Sequence, residues 1–417
     1  MPNYLLLGEK LSHSYSPLIH SLLGNDDYAL RELAPGELVD FLRERNFRGA
    51  NVTIPYKVQA LPFCDALSPE AEALGNVNTL VVEENGTLTG HNTDLYGILY
   101  MIARNGIEIK HKKVAILGSG GAARTAQSAL LYLGARDVSI ISRHGNMNYK
   151  RLYMMHDDIE VILNATPVGM YPRHAGDNPI DLDKFPHVTA VLDLIYNPNQ
   201  TALLTQARVR GIRYENGLSM LVAQAAHAHE LFTGERVPLD KIDTIVHTLR
   251  ANLLNLVLIG MPGCGKSSIG REVAALMQRE FVDIDEEIVR TAGMSIPDLF
   301  TNYGEPHFRD LEREAITSVS SRRGIVIATG GGAVLDRENV NALQSNGVIA
   351  FVTRALESLS TSGRPLSSGL NQAALREMLD KREPFYVGAA DFSIHNQYTL
   401  ANAAHCAKDG FYEAAHY

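Results

Sequence analysis

Residues Asn255 to Ser268 read NLVLIGMPGCGKSS. An apolar run, Leu256 to Ile259, leads into Gly260, and after four residues come Gly265, Lys266 and Ser267. This is G-x-x-x-x-G-K-S at the end of a strand, followed by a helical pattern from Ile269 to Met277. That order gives the motif its meaning. Gly260, Gly263 and Gly265 let the loop N–H groups, those of Cys264 and Ser268 included, turn toward phosphate oxygens at a helix N-terminus. Lys266 reaches the outer phosphates of ATP, and the Ser267 hydroxyl ligates Mg²⁺. Such a phosphate loop follows the first strand of its own fold, so the chain before it forms something else.

The chain has 417 residues, which suggests two or three domains. Hydrophobic content of 45% and charged content of 20% are ordinary for a soluble globular protein. The formal net charge of −9 argues against a general nucleic-acid or anionic-membrane binder, so anionic ligands must be held by local Arg and Lys. The three cysteines, Cys64, Cys264 and Cys406, are far apart and odd in number, which fits a reducing compartment. No apolar run approaches the roughly 20 residues of a membrane span, and MPNYLLLGEK reads as a first strand rather than a leader. A cytoplasmic location is expected.

In chain order, strands are expected at 4–7 and 50–54, helices at 17–23, 36–45 and 56–63, and a hairpin over 79–90 around Asn85-Gly86. From Lys113 the character changes. A strand to Leu117 runs into Gly118-Ser119-Gly120-Gly121-Ala122-Ala123 and a helix. This is G-x-G-x-x-A at a strand-to-helix turn. Gly118 makes the turn, Gly120 admits a pyrophosphate, and Ala123 allows close helix packing. The next strand ends Ser142-Arg143-His144. An Arg there suits the 2′-phosphate of NADP, where an acidic residue would suit NAD. Strands at 161–165, 191–195 and 211–215 follow, then helices at 219–232 and 238–250.

Several polar residues sit in chemical contexts. Ser14 and Ser16 suit a carboxylate, with N-capping as the alternative for Ser16. Asn51 and Thr53 end a strand. Lys57 is expected at a helix start, where the positive dipole favours losing a proton. Asp94 follows Asn92 across a turn, and a Lys–Asp pair would serve hydride chemistry at a carbonyl. The motifs HSYSP, NVTIPYK, NTD, GSGGAAR, NATPVGM, DLIYNP and GLSMLVAQAA, in this order over about residues 1 to 250, resemble the shikimate dehydrogenase family. The resemblance implies Lys57 and Asp94 as the catalytic pair. It places Ser14, Ser16, Thr53, Asn78, Asn92 and Gln224 on the substrate. Tyr196, Gly217 and Met220 fall near the nicotinamide, and Gly118, Gly120, Gly121, Ala122, Arg143 and Thr166 on NADPH. The segment from Arg143 to Asn164 is shorter than the family's pattern, so the adenosine side is expected to be reduced.

After the phosphate loop, a strand from 281 ends in Asp283-Ile284-Asp285, and strand periodicity would put both carboxylates on one side. Arg309, Arg364 and Arg382 suit bidentate contacts to carboxylate or phosphate, each with a solvated surface charge as its alternative. Gly330-Gly331-Gly332 ends another strand, and Gly363 to Leu366 sits in an expected mobile loop. DID, FRDLE, GGG, GRPL and the Arg382/Tyr386 pair resemble the shikimate kinase family over about 253 to 417. The resemblance implies that Asp285, Arg309, Gly331 and Arg382 hold shikimate and that Glu312 steadies Arg309. Lys266 and Arg364 would stabilise the transferring phosphoryl group, and Ser267 and Asp283 would place Mg²⁺.

The expected architecture is α/β throughout. A substrate domain spans 1–96, completed by helices at about 218–250. A Rossmann NADP-binding domain spans 97–217, and a P-loop kinase domain with a parallel sheet spans 253–417. The resemblances imply reduction of 3-dehydroshikimate to shikimate, then its phosphorylation, with these small molecules and no nucleic acid or membrane as partners. Oligomeric state carries no signal. A quinate or shikimate dehydrogenase using NAD is the near alternative. A ligand-sensing regulator built from these domains would be expected to lose Lys57, Asp94, Lys266 or Ser267, or to add a basic DNA-binding element. All four residues are present and no basic extension is.

Overall fold

The computed structural model describes residues 3–11, 14–155, 158–172, 176–359, 371–397 and 399–416. It divides into two units. The first comprises Met1–Gly169, Asp177–Tyr196 and Gln206–Val246, and the second Met170–Gly176, Asn197–Thr205 and His247–Tyr417. Among the described residues no helix is long and apolar enough to cross a membrane.

The first unit contains two sheets. Strands β1 (Tyr4–Gly8), β2 (Tyr28–Glu32), β3 (Gly49–Val52), β4 (Ala66–Leu67), β5 (Thr79–Val82) and β6 (Leu88–His91) form the first, in the order β2-β1-β3-β5-β6-β4. β1 is parallel to both β2 and β3, while β5 and β6 form the expected antiparallel hairpin. The sheet draws on a distant part of the chain. Phe232, on the helix Leu218–Thr233, packs on Tyr4 with ring centroids 5.2 Å apart. Its ring fills the space over Gly49, where a Cβ would lie 2.3 Å from it. The same helix packs along Asp94–Arg104, and Gly97 permits the approach, since a Cβ there would meet the Met220 carbonyl at 2.7 Å.

The second sheet holds β7 (Lys113–Leu117), β8 (Asp137–Ile141), β9 (Val161–Asn164), β10 (Ala190–Asp193) and β11 (Arg213–Glu215), all parallel, in the order β11-β10-β9-β7-β8. From β7 the chain goes first to one side and then to the other. The crevice for a ligand therefore lies at the carboxyl ends of β7 and β9. β8 is an edge strand, and among the described residues only the seven-residue helix Tyr149–Met155 lies between it and β9, as the short segment after Arg143 led one to expect.

The second unit is a parallel sheet of β12 (Asn255–Ile259), β13 (Phe281–Asp283), β14 (Val326–Ala328), β15 (Gly347–Thr353) and β16 (Phe392–His395), ordered β13-β14-β12-β15-β16. β12 is central and wholly buried. Its side chains alternate, Val257 and Ile259 entering one apolar core and Leu256 and Leu258 the other. The order reverses about β12, which places the phosphate loop at the switch point.

Two expected elements differ. Residues 56–63 are turns ending in a short 3-10 helix, Leu61–Phe63, because Pro62 has no N–H to extend an α-helix. Asp285 does not end a strand. β13 stops at Asp283, whose carboxylate accepts the Asp285 N–H at 3.0 Å and caps the helix Ile284–Ala292.

Candidate active sites

A cavity of about 690 Å³ in the first unit is lined by Ser14, Ser16, Thr53, Lys57, Asn78, Asp94, Ala122, Tyr196, Gly217, Met220 and Gln224. Substrate-side and cofactor-side candidates thus share one space. The Lys57 ammonium donates to the Asp94 carboxylate at 2.5 Å. Lys57 sits in the turn region 54–60, so the helix start expected beside it is not there. The helix start belongs instead to Asp94, the first residue of Asp94–Arg104. Asn78 fixes that end. Its carbonyl oxygen Oδ1 accepts the Thr93 N–H at 2.7 Å, and its Nδ2 donates to Thr93 Oγ1 at 3.1 Å.

Ser16 is not the N-cap of its helix. Tyr15 holds that position, and Ser16 is the first residue of Ser16–Leu23. The Ser14 hydroxyl donates to Ser16 Oγ at 3.1 Å, and both residues line the cavity wall. Asn92 is buried and off that wall, its amide donating to Asn76 Oδ1 at 2.7 Å. Gln224 Nε2 donates to the Leu221 carbonyl at 2.8 Å. Gly217 lies so close to the Leu194 carbonyl that a Cβ would come within 2.1 Å of it.

The glycine turn after β7 fits a pyrophosphate. Gly118 has φ 112° and abuts the Ala165 carbonyl, while Gly120 and Gly121 open the helix Gly121–Tyr132. Thr166 is held by its hydroxyl donating to Asn164 Oδ1 at 2.7 Å. Arg143 is exposed just past β8, near Tyr149. Gly118, Gly120, Gly121, Arg143 and Thr166 would hold the dinucleotide, with Ala122 reaching the shared cavity.

A second cavity, about 390 Å³, lies in the second unit. It is lined by Gly263, Gly265, Lys266, Ser267, Ser268, Asp283, Asp285, Arg309, Gly331 and Arg382. The loop glycine Gly265 has φ 106°. Gly260 and Cys264 sit behind the wall, and Cys264 is buried. Lys266 is itself buried, its ammonium donating to the Gly260 and Met261 carbonyls at 2.9 Å each. The Ser267 hydroxyl donates to Asp283 Oδ2 at 2.6 Å. A hydroxyl beside a carboxylate suits a hard cation, so these two would hold Mg²⁺.

Arg309 donates to Glu312 Oε2 at 2.8 Å. Burial pushes the Glu312 carboxyl above its ordinary range, against the opposing pull of Arg309. The three glycines each leave room for a different neighbour. A Cβ on Gly330 would meet Glu312 and Asp285, one on Gly331 would meet Pro262, and one on Gly332 would lie 2.7 Å from the Arg309 guanidinium. Arg382 donates to the Gly331 carbonyl at 3.2 Å, and Tyr386, its hydroxyl pushed up to about 12 by burial, donates to the same oxygen at 2.5 Å. Arg364 and the segment 363–366 lie outside the described residues.

Sequence reasoning missed two cations on these walls. Lys10 lines the first cavity and Arg354 the second. Each follows the carboxyl end of a parallel strand, β1 and β15, and the rule that ligands gather at such ends would have found both.

The two sites define a dinucleotide-dependent α/β oxidoreductase joined to a P-loop phosphotransferase. The sequence profile of the shikimate dehydrogenase substrate binding domain matches residues 6–80, that of the shikimate 5'-dehydrogenase C-terminal domain residues 217–244, and that of shikimate kinase residues 262–408. The chain belongs to the shikimate dehydrogenase family and carries a shikimate kinase domain at its C-terminal end. A shikimate dehydrogenase (NADP(+)) of Clostridium beijerinckii is 36% identical over 250 residues, which is 56% of this chain and 92% of that one. A chorismate mutase/shikimate 5-dehydrogenase fusion protein from Clostridium acetobutylicum aligns at TM-score 0.56 and 35% identity, covering 59% of this chain and 96% of the other. The Thermus thermophilus shikimate 5-dehydrogenase in complex with NADP(H) and shikimate aligns at TM-score 0.54 and 31% identity, covering 60% and 99%.

Proposed function

We propose that the first unit reduces 3-dehydroshikimate to shikimate with NADPH, and that the second phosphorylates the shikimate 3-hydroxyl with ATP. The domain limits proposed are 1–96 with 218–250, 97–217, and 253–417. The observation that carries the reading is the Lys57–Asp94 pair, 2.5 Å apart, facing a cavity that Ala122, just past the glycine turn after β7, also lines. NADPH, when bound, supplies hydride to the carbonyl carbon. Lys57 gives a proton to the carbonyl oxygen, and Asp94 keeps the ammonium aimed at it. Ser14, Ser16, Thr53, Asn78 and Gln224 orient the ring, Asn92 supports them from behind, and Tyr196, Gly217 and Met220 bound the nicotinamide side.

In the second unit, Arg309 and Arg382 take the shikimate carboxylate beside Gly331, and Asp285 polarises the attacking hydroxyl. Lys266 leaves its two loop carbonyls to meet the phosphates, and Arg364 joins it in stabilising the transferring group. Mg²⁺ held by Ser267 and Asp283 would spread the phosphate charge. Relatives named for NADP(+) support the cofactor choice, as does Arg143. The test mixes the purified chain with 3-dehydroshikimate and NADPH or NADH, then adds ATP and Mg²⁺. Faster NADPH oxidation and shikimate-dependent ADP release are expected. Preference for NADH would replace the first activity with the NAD-using alternative, and absence of both products would sink the proposal.

A further inference from the structure

Lys10 is the second residue past β1, and it lines the first cavity together with Ser14 and Ser16. The Ser14 N–H donates to the Leu11 carbonyl at 2.9 Å, which ties the residue after Lys10 to the serine pair. Among the described residues two lysines line this cavity, Lys10 and Lys57, and no arginine does. They differ in how their charge is met. The Lys57 ammonium is neutralised by Asp94 at 2.5 Å. Lys10 is exposed, lines the cavity and has no ion-pair partner among the described residues.

A substrate carboxylate entering the cavity gives up hydration, and Ser14 and Ser16 can return hydrogen bonds but no charge. Charge-assisted bonds are roughly twice as strong as neutral ones. We infer that Lys10 is the charged partner of the substrate carboxylate at the Ser14/Ser16 end of the cavity, and that it selects carboxylated rings over neutral polyols. This rests on the dehydrogenase reading above. It also gives the ring a direction. The carboxylate is drawn to the Lys10 end, and the carbonyl faces the Lys57 end, so Lys10 binds substrate without taking part in the proton transfer.

The experiment uses the full chain as wild type, Lys10→Gln and Lys10→Arg. It follows NADP⁺-dependent oxidation of shikimate and of shikimate carboxamide, whose amide keeps the shape and removes the charge. Lys10→Gln should raise KM for shikimate about tenfold, the size of one lost charge-assisted bond, with kcat moving less than about twofold. The same change should alter KM for the carboxamide less than about twofold, and Lys10→Arg should recover most of the loss for shikimate. Lys10 is exposed, so the thermal midpoint should not move. An unchanged KM for shikimate overturns the inference, as does an equal penalty on acid and amide or a loss confined to kcat. If wild type oxidises shikimate and only the Lys10 pattern fails, the dehydrogenase reading stands and this inference alone falls. If wild type oxidises neither compound, both fall.

Discussion

Lys57 and Asp94 lie 37 positions apart in sequence, yet their side chains meet at 2.5 Å, one from a turn and the other from the first residue of a helix. The carboxylate is placed by Asn78, which holds the Thr93 N–H just before it. Lys57→Ala is therefore expected to lower kcat for 3-dehydroshikimate reduction by about 10²–10⁴-fold, the usual weight of a positioned acid. Shikimate-dependent ADP release should persist. Loss of both activities in folded protein would show that the two sites are not independent.

The Lys266 ammonium now caps two carbonyls of its own loop. Lys266→Ala should abolish kinase turnover, by about 10²-fold or more, because nothing else buried in the loop carries that charge to the phosphates. Reduction of 3-dehydroshikimate should be retained. The two initial rates, measured on one preparation, decide the matter.

Gly332 faces the Arg309 guanidinium, and an added methyl would press on the far end of a flexible side chain. Gly332→Ala should leave the thermal midpoint nearly unchanged but raise KM for shikimate in the kinase assay by about tenfold, as one carboxylate contact loosens. A fall in stability without a KM effect would mean that Arg309 does not hold the substrate.

Arg143 stands exposed past the edge strand β8. Arg143→Ala should raise KM for NADPH by about tenfold and leave KM for NADH within about twofold, since only the former carries a 2′-phosphate. Equal effects on both cofactors would assign Arg143 another role.

The His20 imidazole is fully buried, stacked on Tyr28 with centroids 3.8 Å apart, and burial together with nearby His229 lowers it to about 3. In the unfolded chain it titrates near its ordinary value of about 6.5. Below that value the unfolded state binds a proton that the folded state refuses. The stability is thus complete above about pH 6.5 and falls as pH drops toward 3, by up to about 1.4 kcal/mol per pH unit. The midpoint of the first unit should drop on acidification, and His20→Phe should flatten that drop. An unaltered acid slope in the variant would place the acid sensitivity elsewhere.

Glycine motifs, alternating strands and the order of catalytic residues were readable because each rests on local spacing. G-x-x-x-x-G-K-S and G-x-G-x-x-A both proved to sit at carboxyl ends of parallel strands. What escaped was set by distant neighbours. The strand Tyr28–Glu32 has a polar, exposed end and shows as a strand only through its pairing with β1. The place of Asp285 depended on where β13 stops, which a capping bond from Asp283 decides rather than strand alternation. Asn92 kept its position in the motif but turned its amide to Asn76. The need for three successive glycines became clear only once Glu312, Pro262 and Arg309 were seen against them.

The packing of Phe232 over Tyr4 and Gly49 bears on how the chain is made. The first strand emerges from the ribosome early, but the side chain that covers it follows more than two hundred residues later. Until then the face around Leu6 and Val81 stays open. The gap closes when Leu218–Thr233 is released, just before β12 begins. A chain stopped short of residue 218 should therefore be sticky and prone to aggregate. One stopped near residue 250 should carry a finished reductase, with the kinase still to come.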